Sequence, residues 1–516
     1  MKKKRILWAD DEIDILRSHI LFLQEKGYEV VAVNSGHDAI DAIKSEAFDI
    51  VFLDENMPGI TGIETLSRLK EIDANIPVVM ITKSEDEGIM SDAIGRKIAD
   101  YLIKPVNPSQ ILLSLKKNLQ KDDIVSEVTE ENYRDEFSKI SGRLNQEMSL
   151  SEWVEIYKKI SFWDIELSNT QSPLKDTLQM QRQEANRMFG RFVRLNYESW
   201  IGRNCNPGSP LLSQNLLKEK VFPLLDNDEK VFFVLIDNFR LDQWWAVKDL
   251  LSNDFQLTED TYCSILPTTT QYARNAIFAG MMPADIARLY PEYWIDEDDD
   301  EGKNINEEAL IKVQLEHCRK NYSFSYNKFS FSATENWIAK QLSNIGNNQL
   351  NVVVCNFVDM LSHARTESKM IRELAANEAA YRSITKSWFT HSNMAQLFRR
   401  AAEKGYKVIL TTDHGTIRVK NALKVISDKT INSNVRYKVG KNIGYDRKKV
   451  YDITSPERGG LPCPNISTKY IFATGEDFFA YPNNFNHFVS YYGDTFQHGG
   501  ISMEEMIVPF ITLSAK

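Results

Sequence analysis

Asp237 closes the apolar run VFFVLID, Asp359 and His363 follow VVVCNFV, Asp413 and His414 follow VILTT, and His498 stands in QHGG. Each acidic or imidazole group falls at or just past the end of a strand-like run. Between the first two motifs lies LPTTTQYAR, with hydroxyls at Thr268, Thr269 and Thr270. Three carboxylates, three imidazoles and a hydroxyl gathered from distant segments are the donor set that two close divalent cations and a nucleophile require. The combination predicts an enzyme acting on phosphorus or sulfur esters.

Each motif also has a plainer reading. Asp237 would be costly to bury unpaired at the end of an apolar strand, so it needs a metal or a basic partner, and Arg240 is close by in sequence. Asp359 and His363 are four apart, so on a helical turn they face one way and can share one cation. Asp413 and His414 are adjacent and can reach one cation or bridge toward two. Gly499 and Gly500 after His498 permit close backbone approach. The threonines precede QYARNAIFAG, a predicted helix. A hydroxyl there is either an N-cap or a group set beside free N–H donors that also suit a phosphate oxygen. Arg274 and Asn275, just beyond, are expected to contact the substrate's non-bridging oxygens. His19, His37, His317 and His391 lack such a context, and His487 reads as a packed loop residue.

A second set of strand-end groups occupies the first 120 residues: Asp10 and Asp11, Asp54, Thr82, and Lys104 before Pro105. Converging carboxylates hold Mg²⁺ through oxygen and leave one carboxylate free to attack a phosphoryl group. Thr82 can hydrogen-bond to the product, and Lys104 can neutralise its charge.

The elements that must position these groups alternate. Strands are predicted at RILWAD, YEVVAVN, FDIVFLD, IPVVMIT and DYLIKP, with helices after each, including one near 62–71, one near 86–96 and one from 107. That alternation predicts a doubly wound parallel sheet with its chemistry at the strand carboxyl ends. Residues 121–205 change character. Trp153, Tyr157, Phe162 and Trp163 recur at helical spacing in a charge-rich stretch broken near Ser172–Pro173. About three amphipathic helices forming a small bundle are expected there, with the aromatic stripe as its core. NPGSP at 206–210 marks the next boundary. Strong strands at 231–236, 352–358 and 407–412 then resume the α/β pattern, and the acidic stretch WIDEDDDEGKNINEE, 294–308, reads as a solvated loop. The expected domains are therefore 1–120, 121–205 and 206–516, in an α/β protein with a helical middle.

At 516 residues the chain is too long for one core. Its net charge of −10, and the lack of a helix-turn-helix pattern after residue 120, disfavour direct DNA binding. Cys205, Cys263, Cys318, Cys355 and Cys463 form no CxxC pair, so reduced thiols are expected rather than disulfides or a thiolate zinc site. MKKKRILWADD lacks the apolar stretch of a signal peptide, and no run of about 18 apolar residues predicts a membrane span, so a cytoplasmic location is expected.

On ADDE, FLDENMPGITG, MIT and LIKP, residues 4–120 resemble a response-regulator receiver domain. The resemblance implies Asp54 as phosphoacceptor, Mg²⁺ held by Asp10, Asp11 and Asp54 with the main chain of Asn56, and Thr82, Tyr101 and Lys104 as the switch residues. It also implies a donor histidine kinase and a phosphorylation-linked homodimer.

On LIDNFR, LPTTTQYAR, FVDMLSHAR, TTDHGT and QHGG in that order, residues 210–516 resemble the alkaline phosphatase superfamily, and more closely its PglZ-type branch. The resemblance implies two zinc ions, one held by Asp237, Thr270, Asp413 and His414, the other by Asp359, His363 and His498. Aligning PTTTQ with the family pattern implies Thr270 as the nucleophile, with Thr269 the fallback, forming a phosphothreonine that water hydrolyses. No third site for a dianionic phosphate is identifiable, which suits a phosphodiesterase whose substrates are cyclic or linear oligonucleotides. The order of receiver, helical linker and PglZ-type domain resembles response regulators tied to type IX secretion, and implies a PorY-like kinase, a sigma factor and secretion-system components as partners. The alternative is a phosphorylation-switched scaffold that binds such a partner without catalysis.

Overall fold

IVFLD and VVMIT are apolar runs too short for a helix, and both become strands buried on both faces. They are the third and fourth of five: β1 Arg5–Ala9, β2 Glu29–Val33, β3 Ile50–Asp54, β4 Val78–Thr82 and β5 Asp100–Ile103. All pair in parallel in the order β2-β1-β3-β4-β5. The strand order reverses between β1 and β3, which puts the crevice of this doubly wound sheet beside Asp10 and Asp54. Helices Arg17–Glu25, Gly36–Ser45, Gly62–Ile72 and Pro108–Leu119 cover the faces over two apolar cores. Thr61 and Asn107 begin the last two with reciprocal capping boxes.

A computed structural model describes the chain except residues 1–2, 84–97, 171, 202–208, 296–303, 330–347, 428–431 and 433. The helix expected near 86–96 and most of the acidic stretch lie outside the described residues. The chain divides into two compact units, Met1–Asn132 and Tyr133–Lys516.

The expected middle helices are Lys121–Leu144, Leu150–Ser168 and Leu174–Ile201. They do not close on a core of their own. Trp153, Tyr157, Phe189 and Tyr197 belong to the same apolar cluster as Leu235, Ile236 and Leu266 of the α/β region. The aromatic stripe is split: Trp153 and Tyr157 are buried and Trp163 is half-buried, while Phe162 is 47% exposed. Adjacent positions on a helix diverge by about 100°, so Phe162 and Trp163 cannot share one buried stripe.

The second unit is built on β6 Lys230–Ile236, β7 Phe255–Cys263, β8 Phe324–Phe329, β9 Leu350–Cys355 and β10 Tyr406–Thr411. Short strands follow: β11 Ile417–Arg418, β12 Asn421–Lys424, β13 Tyr437–Gly440, β14 Tyr451–Ile453, β15 Lys469–Phe472, β16 Asp477–Ala480 and β17 Phe496–Gln497, then the long β18 Ile507–Ala515. The main sheet runs β7-β18-β10-β6-β9-β8. β10, β6, β9 and β8 are parallel, whereas β18 pairs antiparallel with both β10 and β7. β10, β6 and β9 are therefore neighbours whose carboxyl ends share one edge, with Leu235 beside Thr411 and Ile236 beside Cys355. The Asp237, Asp359 and Asp413 motifs all leave the sheet along that edge.

Candidate metal centres

Asp237 and Asn238 follow β6, Asn356 and Asp359 follow β9, and Asp413 and His414 follow β10. Two groups of ligand atoms gather there, Asp237 with Asp413 and His414, and Asp359 with His363 and His498, the atoms of each group lying within 4.8 Å of one another. Asp359 and His363 lie one turn apart on the helix Phe357–Glu367, with His363 Nε2 3.4 Å from Asp359 Oδ2. His498 Nε2 approaches the other oxygen, Oδ1, at 3.5 Å.

The histidine rings are held from behind. His414 Nδ1 donates to the carbonyl of Gly415 at 3.1 Å, and His498 Nδ1 to the carbonyl of Thr268 at 3.2 Å. A carbonyl can only accept, so Nδ1 carries the proton in both rings and each Nε2 presents a lone pair to the carboxylates. The two rings stack with centroids 4.4 Å apart. Burial, then the neighbouring His414 ring, lowers His498 to about 3, whereas the hydrogen bond that His363 donates to Asp359 raises His363 to about 9. Burial alone would raise Asp359, but the hydrogen bond and charge of His363 hold it below the usual carboxylate range.

Glycines let the backbone in. A Cβ at Gly415 would stand 2.0 Å from the Glu504 carbonyl, and Gly499 adopts φ +117°, a region L-residues rarely enter. The carboxylates are braced as well. Asp413 Oδ1 accepts from the N–H groups of His414 and Asn238 at 3.0 and 3.3 Å, and Asp359 Oδ1 accepts from the Asn238 amide at 3.2 Å. Asn238, in the left-handed region at φ 62°, thus ties the two groups together. Sequence reasoning passed over it. An Asn directly after a strand-end Asp, in a position that tolerates that conformation, was the available signal.

The three threonines separate by role. Thr268 Oγ1 donates to the Gly500 carbonyl and accepts from Gly499 N–H, so it ties the loop to the QHGG turn. Thr269 is buried, and among the described residues its hydroxyl has no hydrogen-bond partner. Thr270 is half-buried, its Oγ1 3.4 Å from Asp237 Oδ1 and 3.3 Å from His414 Nε2. None acts as a side-chain N-cap for the turn Thr270–Arg274.

Four expectations need correction. Asp237 is paired with Arg274, not Arg240, which instead bonds Asp242 and Glu378. Arg274 is fully buried and faces Asp237, Asp413 and Glu307, so its guanidinium is turned to carboxylates rather than to a substrate's non-bridging oxygens. Three buried carboxylates in one place demand a cation, and Arg274 supplies it. Even so, burial leaves Asp237 well above the usual carboxylate range, with Arg274 opposing the shift and Asp413 adding to it. Asn275 is also buried; its Oδ1 accepts from Asn304, whose amide donates to the Thr270 carbonyl at 3.0 Å. Glu307 and Asn304, expected from sequence to lie in a solvated loop, hence support the site.

These residues fit divalent cations. The donors are carboxylate oxygens and imidazole nitrogens, the chemistry zinc selects, and each group leaves Nε2 lone pairs and carboxylate oxygens facing one another. In the first unit, Asp10, Asp11 and Asp54 form a third group of oxygen donors, suited to Mg²⁺. Lys104 Nζ lies 2.8 Å from both Asp10 Oδ2 and Asp54 Oδ2. Burial raises the Asp54 carboxyl, partly countered by the hydrogen bond from Lys104. Thr82 ends β4 fully buried, Tyr101 lies half-buried on β5, and Asn56 and Asp11 are exposed.

Three family models match the chain. The BREX system PglZ alkaline phosphatase-like domain matches residues 216–513, more than half of it. The PorX response regulator linker domain matches 123–201, and the response regulator receiver domain 6–116. Among curated proteins, the alginate biosynthesis transcriptional regulatory protein AlgB of Pseudomonas syringae is 34% identical over 116 residues, 22% of this chain and 26% of that protein. The uncharacterized transcriptional regulatory protein YkoG of Bacillus subtilis is 31% identical over 129 residues, 25% of this chain and 56% of that one. The chain spans about a quarter of the length of the first curated relatives it matches. A CheY-like receiver domain protein of known structure from Methanospirillum hungatei is 28% identical, covering 23% of this chain and 96% of that one at a TM-score of 0.23.

Proposed function

This chain belongs to the PglZ alkaline phosphatase-like family, and from that membership we propose a two-zinc phosphodiesterase governed by a phosphorylatable receiver. Its domains make it a two-component response regulator with a hydrolase-like effector of phosphoesterase type, and the receiver implies a histidine kinase. The observation that carries the two-zinc reading is the pair of rings, His414 and His498, each fixed through Nδ1 to a carbonyl with Nε2 aimed at the carboxylates.

In this reading Asp237, Thr270, Asp413 and His414 hold one zinc ion, and Asp359, His363 and His498 the other. When bound, the two ions lower the pKa of the threonine hydroxyl and stabilise charge on the oxygens of the reacting phosphate. Thr270 is the nucleophile, since it alone of the three threonines faces Asp237 and His414. Its Oγ1 attacks phosphorus, an alcohol leaves, and water hydrolyses the phosphothreonine. Arg274 favours the ionised form of Asp413 and opposes the upward shift that burial imposes on Asp237. Because it is wholly engaged by them, it leaves no free guanidinium for a dianionic monoester, which favours diesters such as cyclic or linear oligonucleotides.

At the receiver, Asp54 accepts the phosphoryl group beside Mg²⁺ held by Asp10, Asp11, Asp54 and the main chain of Asn56, with Thr82, Tyr101 and Lys104 reporting it. The order of receiver, PorX-type linker and PglZ-type domain supports a cytoplasmic role in type IX secretion, with a PorY-like kinase, a sigma factor and secretion-system components as partners.

The test is hydrolysis of a chromogenic phosphodiester and the matching monoester with zinc, comparing the wild type with Thr270→Ala, with and without a small phosphodonor. Diester turnover exceeding monoester turnover, and falling to background in Thr270→Ala, is the expected result. Equal rates in the two proteins would refute the nucleophile, and no turnover in either would favour the scaffold alternative.

A further inference from the structure

In the second unit a groove of about 340 Å³ runs between the helix Leu174–Ile201 and the segment around residues 448–451. Arg187, Arg191 and Arg194 line one side, Lys448 and Lys449 another, and no carboxylate is among its lining residues. The chain as a whole carries a net charge of −10, so a groove lined by five basic side chains stands out from its general composition.

A charged helix face usually mixes both signs and is simply solvated. Here the three arginines stand at i, i+4 and i+7, one face with rises of about 6 and 4.5 Å between them. Like charges at that spacing weaken a helix, and an anion among them relieves the repulsion. Local acids answer only part of the charge. Glu184 pairs with Arg187 at 2.6 Å, and Asp452 lies 3.7 Å from Arg194. Among the described residues Arg191, Lys448 and Lys449 make no ion pair.

The groove is also tied to the catalytic region. Gly190 lets the helix approach Thr474 closely, since a Cβ there would lie 3.1 Å from the Thr474 Cβ. Thr474, which lines the groove, bridges to Ile501, three residues beyond His498. Guanidinium groups bind phosphate oxygens two at a time, and five cations spread along a groove suit several linked phosphates better than a single one.

We propose that this groove binds the phosphodiester backbone of a single-stranded oligonucleotide, holding the chain by its phosphates while the metal site cleaves it. The inference rests on the phosphodiesterase reading for its choice of ligand, but binding can be judged apart from cleavage.

The experiment titrates a fluorescein-labelled oligonucleotide into the full chain in chelator, where hydrolysis cannot occur, at several salt concentrations. Arg191→Glu/Lys449→Glu is compared with Lys312→Glu/Lys386→Glu, which removes the same charge outside the groove. The groove variant is expected to bind at least tenfold more weakly, and its log–log salt slope to fall by about 0.7 for each phosphate that the groove no longer neutralises. The control variant should match the wild type. Both should hydrolyse a small chromogenic diester at the wild-type rate once zinc is restored. Binding unchanged in the groove variant, or weakened equally in both variants, overturns the proposal, as does polyglutamate binding more tightly than the oligonucleotide at equal charge. Loss of small-diester turnover in the wild type would instead strike the phosphodiesterase reading and leave the binding result to stand by itself.

Discussion

In His363 a proton and a metal ion compete for the same Nε2 lone pair. With the ions removed, its bond to Asp359 raises it to about 9, while burial and His414 hold His498 at about 3. Near pH 7.5, then, His498 is already neutral and His363 still protonated, so zinc binding should release about one proton from His363. The release should fade as pH rises past 9, and affinity should fall as pH drops. Calorimetry in two buffers of different ionisation enthalpy measures it; equal apparent heats would contradict it, and His363→Gln should lower the total released by about one proton. Arg274 makes a second residue-scale case. Replacing it by Met leaves Asp237 and Asp413 buried without their cation, while Glu307 keeps Lys328 at 3.0 Å, at a cost of about 3–5 kcal/mol in chelator. Zinc supplies positive charge to the same carboxylates, so it should raise the melting temperature of Arg274→Met by more than that of the wild type. A smaller rise would mean the carboxylates are not metal ligands.

The helix Leu174–Ile201 belongs to the linker in sequence yet helps build the site. The buried Tyr197 hydroxyl accepts the Leu266 N–H at 2.7 Å, just before the threonine loop, and Asn186 holds Glu504 and the Met503 N–H. Tyr197→Phe strands that N–H, so a loss of about 1–3 kcal/mol is expected. Because the displaced backbone leads to Thr270, diester kcat should fall in parallel; denaturant melts and turnover of the same preparation check both. Helix and strand positions were legible because their periods are written in the side chains: QMQRQEANRMFGRFVRLNY is helical by spacing, and FFVLI is a buried strand by its apolar run. Strand order was not. Nothing in VPFITLS states that β18 lies antiparallel between β10 and β7, since an apolar run packs equally well in either direction. The linker's partner was hidden for the same reason, because an amphipathic face shows that it will be buried but not against what.

For the whole molecule, phosphorylation of Asp54 is expected to turn monomer into dimer, and light scattering with and without a small phosphodonor should show the mass double; an unchanged mass would count against it. Among the described residues no helix is long and apolar enough to cross a membrane. What the sequence by itself determined is the inventory: two sets of strand-end groups, a hydroxyl loop and a helical middle, because donor chemistry and hydrophobic period are properties of single segments. Assembly belonged to the tertiary structure. That Thr270 rather than Thr269 faces Asp237, that Arg274 answers the carboxylates in place of Arg240, and that Asn238 joins both ligand groups depend on side-chain direction where separate segments meet. Adjacent residues on a tight turn point to different sides, and a buried charge takes whichever counter-charge the packed backbone brings within reach. Spacing along the chain does not specify either, and only the closing of β10, β6 and β9 onto one edge decides them.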